Sequence, residues 1–254
     1  MSGHSKWSTI KHKKGRADAK RGKIFSRLSK EIIMAAKSGG KDVDANSRLR
    51  SAINAAKAVN MPNDNIDRAI KKGAGELGDA ILEELSYEAY APGGVAIVVD
   101  CLTDNRNRTA AEIRLVITRA NGNLASNGSV AWMFHRKSQF VIEGEYANEE
   151  KLMELCFNAG ADVEDIIVDN DIATVIAPPE AFDEIVTALE SKGIVAAQSS
   201  ISKVPENEVQ VTEIDTAKKI VRLLDALEEN DDVQDVVSNA NIDDAVLEQL
   251  AAED

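Results

Sequence analysis

The spacing of apolar residues changes character near residue 80. Before that point it is helical. Over 16–37, Phe25, Leu28, Ile32 and Ala35 fall on one stripe at about 100° per residue, and Gly39-Gly40 ends the run. A second helix is expected over about 45–59, with Leu49, Ala52, Ile53 and Ala56 inward. A third starts near Pro62, which suits a first helical turn, and carries Ile66, Ala69 and Ile70. It stops at Gly73, after Lys71 and Lys72 at the end favoured by cations. Three such helices make a small bundle.

After residue 80 the pattern alternates between strands and helices. Leu85–Ala91 and Val95–Leu102 read as strands joined by a turn at Pro92-Gly93-Gly94. Thr109-Ala110-Ala111-Glu112 reads as a capping box opening a helix whose inner face is Ile113, Val116, Ile117 and Ala120. Asn127-Gly128 marks a turn before a strand at Val130–Phe134. A compact unit follows: strand Gln139–Glu143, helix Glu149–Ala159, strands Val163–Asp169 and Ile172–Ala177, helix Pro179–Lys192, strand Ile194–Ser202. That β-α-β-β-α-β order is the ferredoxin-like split arrangement. A strand (Glu208–Thr212), a helix (Thr216–Glu229) and a short strand (Asp232–Val237) come last. Paired with the elements of 80–134, they complete a second split unit.

The expected fold is therefore α+β: an N-terminal three-helix domain followed by two ferredoxin-like mixed domains, one inserted in the other. The predicted divisions are a helical domain with its arm over 1–78, an α+β domain over 79–137 plus 204–240, an inserted domain over 138–203, and an acidic C-terminal tail over 241–254.

Composition narrows the class. The chain has 254 residues, 44% hydrophobic but only 4% aromatic, so its cores must be mostly Ala, Val, Ile and Leu. No apolar run has the ~20 residues of a membrane span, and no apolar stretch near the start suggests a secretory signal. Cys101 and Cys156 lie far apart and outside any CxxC, which excludes a disulfide framework and suits a reducing, cytoplasmic setting.

Charge is divided unevenly. Residues 1–75 carry 18 Lys plus Arg and 6 Asp plus Glu, a net of +12, whereas residues 76–254 carry a net of −25. A basic head on an acidic body points to a polyanion partner met locally by the head. Residues 3–15 have too little apolar content to order themselves and form a basic arm. Along the first helix Arg16, Lys20, Lys23, Arg27 and Lys30 share a stripe opposite the apolar one, with Arg21 beside it. Lys6, Lys11, Lys13, Lys14, Arg16, Lys20, Lys23 and Arg27 are the expected phosphate contacts, since each neutralised phosphate releases counterions. Trp7 and His12 sit among these lysines and suit stacking on unpaired bases. Arg106-Asn107-Arg108, just ahead of the capping box, form a second candidate, where free helix N–H groups and two guanidiniums can hold an anion. The equally weighted alternative is that these arginines pair with body acids such as Asp104.

Catalytic signals are missing. His4, His12 and His135 show no metal-ligand spacing, and the chain has no P-loop, GxSxG or HExxH. Glu83-Glu84, Glu149-Glu150, Glu228-Glu229 and Asp231-Asp232 read as solvated surface pairs. The expectation is a non-enzyme without cofactor or metal, monomeric or weakly oligomeric. It binds DNA or rRNA, with the ribosome as a further candidate partner, and no membrane. The head lacks a clear helix-turn-helix turn and no heptad supplies a dimer seam, which tilts the physics towards RNA. A protein-interaction adaptor is the third class.

Several long motifs occur in an order that resembles the YebC/PmpR family. They are Gly3-His4-Ser5-Lys6-Trp7 with Ile10-Lys11-His12-Lys13, then Asp18-Ala19-Lys20-Arg21-Gly22-Lys23-Ile24-Phe25, then Met61 to Lys71, Thr103 to Thr109, and Gly128 to Phe134. The resemblance covers essentially the whole chain. It implies a three-domain α+β protein with two mixed domains around a cleft, and a cytoplasmic, DNA-binding transcriptional regulator. Relatives, including a mitochondrial one, are also tied to translation, including relief of ribosome stalling at proline-rich stretches.

Overall fold

A computed structural model describes residues 17–78 and 81–253. The head is three helices: α1 (Ala17–Gly39), α2 (Ser47–Ala58) and α3 (Asn63–Gly73). Ile32, Ala35, Leu49, Ala52, Ala56, Ile66 and Ala69 are all buried in their common core, with Phe25 and Leu28 packed against it. Asn46 joins the first two helices. Its side-chain oxygen caps α2 at the Leu49 N–H, and its amide donates to the carbonyls of Ala35 and Gly40, each at 2.8 Å. Small residues let the helices approach closely: a Cβ at Gly73 would collide with the Ile33 carbonyl oxygen.

The central unit is a fully antiparallel sheet of β1 (Glu83–Tyr90), β2 (Ala96–Thr103), β3 (Asn123–Leu124) and β9 (Val233–Ser238), in the order β3-β1-β2-β9. Helices α4 (Arg106–Arg119) and α7 (Ile214–Glu228) supply Ile113, Ile117, Ile220, Leu223, Leu224 and Leu227 to its main core. The spatial order is that of a split β-α-β unit, but β1 enters the chain first and forms a hairpin with β2. The opposite face carries a smaller cluster of Ala96, Val98, Val130, Phe134 and Val237.

Between these elements runs β4 (Phe134–Glu143), α5 (Glu149–Asn158), β5 (Asp165–Asp169), β6 (Ile172–Ala177), α6 (Phe182–Ser191) and β7 (Gln198–Pro205). Their sheet order, β5-β6-β4-β7 and antiparallel throughout, is the ferredoxin-like one. Phe140, Ile142, Leu152, Cys156, Val175 and Ile185 form its separate core. The architecture is α+β, with one mixed unit inserted in another.

Three local expectations are corrected. Val130 does not open a strand: it is buried in a tight turn, and β4 begins at Phe134. Thr109 is not a cap. Helix α4 starts at Arg106 and is capped by Asn105, whose side chain accepts from the Arg108 N–H. The acidic tail expected over 241–254 is, over its described residues 241–253, part of the fold: β10 (Ala240–Ile242) pairs in parallel with β8 (Val209–Val211), and helix α8 (Asp244–Glu253) follows. Ile242, Val246, Leu247 and Leu250 enter the central core. Acid-rich composition masks their helical spacing.

Candidate nucleic-acid interface

Helix α1 carries two stripes, and the described cations of the basic one, like the apolar residues, find partners. The apolar stripe packs on α2 and α3. The basic stripe meets the C-terminal end of α7, where unpaired carbonyls and the helix dipole favour cations. Lys23 Nζ donates to the Glu229 carbonyl at 2.6 Å, and Arg27 donates to the Glu228 carbonyl. Lys30 Nζ donates to the carbonyls of Asp231 (2.8 Å) and Leu102 (3.2 Å) and to Asp232 Oδ1 at 2.8 Å. The cations expected to face solvent at 23, 27 and 30 thus hold the head to the body. Lys6, Trp7, Lys11, His12, Lys13, Lys14 and Arg16 lie outside the described residues, as do the side chains of Lys20 and Arg21.

Asp232 is the hub of this junction. Only 3% exposed, it accepts from Lys30 on one oxygen. On the other it accepts from Arg108 (2.7 Å), Thr109 (2.8 Å) and Thr103 (3.1 Å). Burial alone raises a carboxyl group, but these donors outweigh it and hold Asp232 down at about 2. The Asp231-Asp232 pair is therefore not simply solvated. Its signal was its place, at the mouth of a buried strand beginning with Val233.

Arg106 and Asn107 are exposed in the first turn of α4, with their backbones inside the helix rather than ahead of it. Arg108 is committed to Asp232 and to Asp104, the latter at 2.9 Å. The anion-clamp expectation and the ion-pair alternative thus divide by residue: Arg108 is paired, Arg106 faces solvent. Lys23, Lys30, Lys72 and Arg108 line a cleft of about 950 Å³ between head and body, interleaved with Asp104, Glu112, Glu229 and Asp231. Such a mixed wall is poorly suited to a polyanion. Elsewhere on the head, Lys57, Arg68, Lys71 and Lys72 are exposed.

Sequence reasoning missed a second buried acid. Glu88, 5% exposed on β1, accepts from the backbone N–H groups of Gly128 (2.5 Å), Val130 (2.6 Å) and Ala131 (2.9 Å). Burial opposes its ionisation, and the N–H donors reverse the balance, so its pKa is lowered. Nothing in its local sequence sets it apart from Glu83 or Glu84. Among the described residues no group of His, Cys, Asp and Glu forms a metal site, and no helix is long and apolar enough to cross a membrane. Both cysteines are buried, which raises their thiols, Cys101 to about 12.

Comparison with known proteins places these features in a family. Residues 5–76 match the family model described as the TACO1/YebC protein N-terminal domain, and residues 82–240 match that of the TACO1/YebC second and third domain. The chain is 51% identical over 251 residues to a probable transcriptional regulatory protein of Desulfotalea psychrophila, covering 99% of this chain and 100% of the relative. A protein of the same name from Desulfatibacillum aliphaticivorans is 53% identical over 249 residues, covering 98% and 100%. A crystal structure of a conserved hypothetical protein from Aquifex aeolicus aligns with a TM-score of 0.80 at 45% identity, covering 89% of this chain and 93% of that one.

Proposed function

The chain belongs to the TACO1/YebC family, and from that premise we propose that it is a non-enzymatic regulator of gene expression that binds nucleic acid through its basic N-terminal segment. The observation that carries this reading is the division of charge, +12 over residues 1–75 against −25 over the rest. The acidic body repels a polyanion and orients its approach, so contact concentrates on the head. Lys6, Lys11, Lys13, Lys14, Arg16, Lys20 and Arg21 are the proposed phosphate contacts, with Trp7 and His12 against bases and Arg106 and Asn107 as an outlying anion contact. Lys23 and Arg27 position α1 on the body.

The relatives' names favour transcription, and hence duplex DNA. One observation favours RNA as a second reading. With Lys23 and Arg27 bonded to the α7 terminus and Lys30 to Asp231 and Asp232, this part of the basic face of α1 is engaged with the body and is not presented as a helix for a major groove. An arm carrying Trp7 and His12 suits irregular RNA.

The test is co-sedimentation with purified ribosomes at near-physiological salt, using the intact chain and a version lacking residues 1–15, with duplex DNA as competitor. Pelleting that needs the arm and resists DNA supports the translation reading. Pelleting that DNA abolishes supports the transcription reading. Absence of salt-dependent binding to either polymer overturns the proposal.

A further inference from the structure

The longest stretch of the acidic body without acids spans residues 113–142. It holds Arg114, Arg119, Arg136 and Lys137. Lys137 pairs with Glu164 and His135 faces Glu206 at 3.4 Å, while Arg114, Arg119 and Arg136 are exposed. In the middle of this stretch stands Trp132, 62% exposed.

Trp132 is not a loose surface side chain. Its loop is pinned from below by Glu88 through the N–H groups of Gly128, Val130 and Ala131, and Val130 is fully buried in the cluster beneath the sheet. The indole N–H is already satisfied, donating to the Ser129 carbonyl at 3.1 Å. The Tyr90 hydroxyl, on the neighbouring strand, reaches the same carbonyl at 3.5 Å, and its ring is 38% exposed. The end of α4, with Arg119 in its last turn, adjoins this edge: a Cβ at Gly122 would lie 2.8 Å from the Tyr90 carbonyl oxygen. What the loop offers outward is thus a ring face whose polar atom is used, beside a second aromatic and within a cationic stretch.

We infer that the 126–133 loop is a stacking site for an unpaired nucleobase of single-stranded RNA, with Arg119 and Arg136 holding the flanking phosphates. Three features favour a base over an apolar protein side chain. The loop neighbours Ser126, Asn127, Gly128 and Ser129 are small and polar and leave the ring 62% exposed, unlike the well-packed, desolvated pocket of a protein hot spot. Every base presents a π-face, so a flat, pre-ordered indole suffices without hydrogen-bond readout. The exposed cations of the stretch, Arg119 and Arg136, are opposite in sign to the body's net charge and match phosphate, and the buried Glu88 carboxylate beneath the loop is met by three N–H groups. This site lies at the Tyr90 end of β1, whereas the cleft lies at the Thr103 end of β2, opposite Glu83. The proposal rests on the nucleic-acid reading of the previous subsection and gives it a second contact, away from the arm.

Trp7 and Trp132 are the only two tryptophans in the chain, which makes the test direct. In a Trp7→Phe variant, emission comes from Trp132 alone. It is titrated with a fluorescently labelled oligouridylate of about ten nucleotides, reading anisotropy of the label and quenching of the indole together. The inference predicts that Trp132 emission is quenched with the same midpoint as the anisotropy change. Trp132→Leu in the intact chain weakens binding about tenfold, Trp132→Phe restores part of it, and both keep the wild-type melting temperature within a few degrees. Anisotropy that reports binding while the indole is unquenched and Trp132→Leu binds normally overturns the stacking site and leaves the arm reading intact. Quenching by duplex DNA as strong as by the single strand overturns the assignment to unpaired bases. No binding of any nucleic acid overturns both.

Discussion

Two ends of one sheet are each organised by a buried carboxylate, and they use it differently. At the cleft end Asp232 accepts from Lys30 and Arg108 together with two threonine hydroxyls. At the far end Glu88 accepts only backbone N–H groups. Asp232 therefore consumes cations: those it gathers fix the head on the body and leave a cleft of mixed charge. Glu88 orders a loop without using any side-chain cation, and the arginines of 113–142 remain outside its reach. A basic residue in this chain is thus structural or available for a ligand according to whether a body acid or helix terminus already claims it. Its presence in a charged stripe does not decide the matter.

The largest effect is expected from Asp232→Asn, which keeps the shape and removes the charge. It leaves Lys30 beside a neutral amide in a half-buried site and should cost on the order of 2–4 kcal/mol in denaturant unfolding. A cost under about 1 kcal/mol would mean the junction does not depend on that charge. Glu88→Gln should cost less, about 1–3 kcal/mol, because one amide oxygen can still accept while the charge-assisted bonds weaken. Its distinguishing sign is a more mobile Trp132, read as lower steady-state anisotropy of the indole in the Trp7→Phe background.

Acid should separate the junction from the rest more gently. Asp232 titrates near 2 in the folded chain, below its ordinary 3.8, so its contribution is complete above about pH 4 and is lost as pH falls towards 2. Allowing for screening at exposed Arg108, that loss is about 1–2 kcal/mol, and Asp232→Asn should flatten this part of the stability profile. The smallest effect is expected from Arg106→Ala, which should leave stability within about 0.5 kcal/mol and weaken nucleic-acid binding only a few-fold. Arg108→Ala, by contrast, should lower the melting temperature, because Asp232 loses its guanidinium partner.

The architecture was largely legible because periodicity survives in the apolar residues. Leu49, Ala52, Ile53 and Ala56 of α2 and the strand Ile172–Ala177 fall where their spacing predicts. The C-terminal helix was hidden because its large apolar residues are only Val246, Leu247 and Leu250, in a short segment with acids at both ends. The site was less legible. A stripe of cations on α1 says that a polar face exists, but whether it meets solvent or the end of α7 depends on residues some 200 positions away in sequence. Asp232 and Glu88 look like any other surface acids until the chain is folded around them. Trp132 was visible as part of a motif, but its exposure follows from how Glu88 and Val130 hold the loop.

The most direct measurement is the salt dependence of nucleic-acid affinity for two sets of neutralised cations. Replacing Lys11, Lys13 and Lys14 by glutamine should reduce the slope of log affinity against log salt by about 2 to 3, at roughly 0.7–0.9 for each phosphate that is no longer neutralised, with stability unchanged. Neutralising Lys23 and Arg27 in the same way should lower stability and leave the slope as it was. A slope that falls for Lys23 and Arg27, and holds for the arm lysines, would contradict the division between cations that build the fold and cations that meet the ligand.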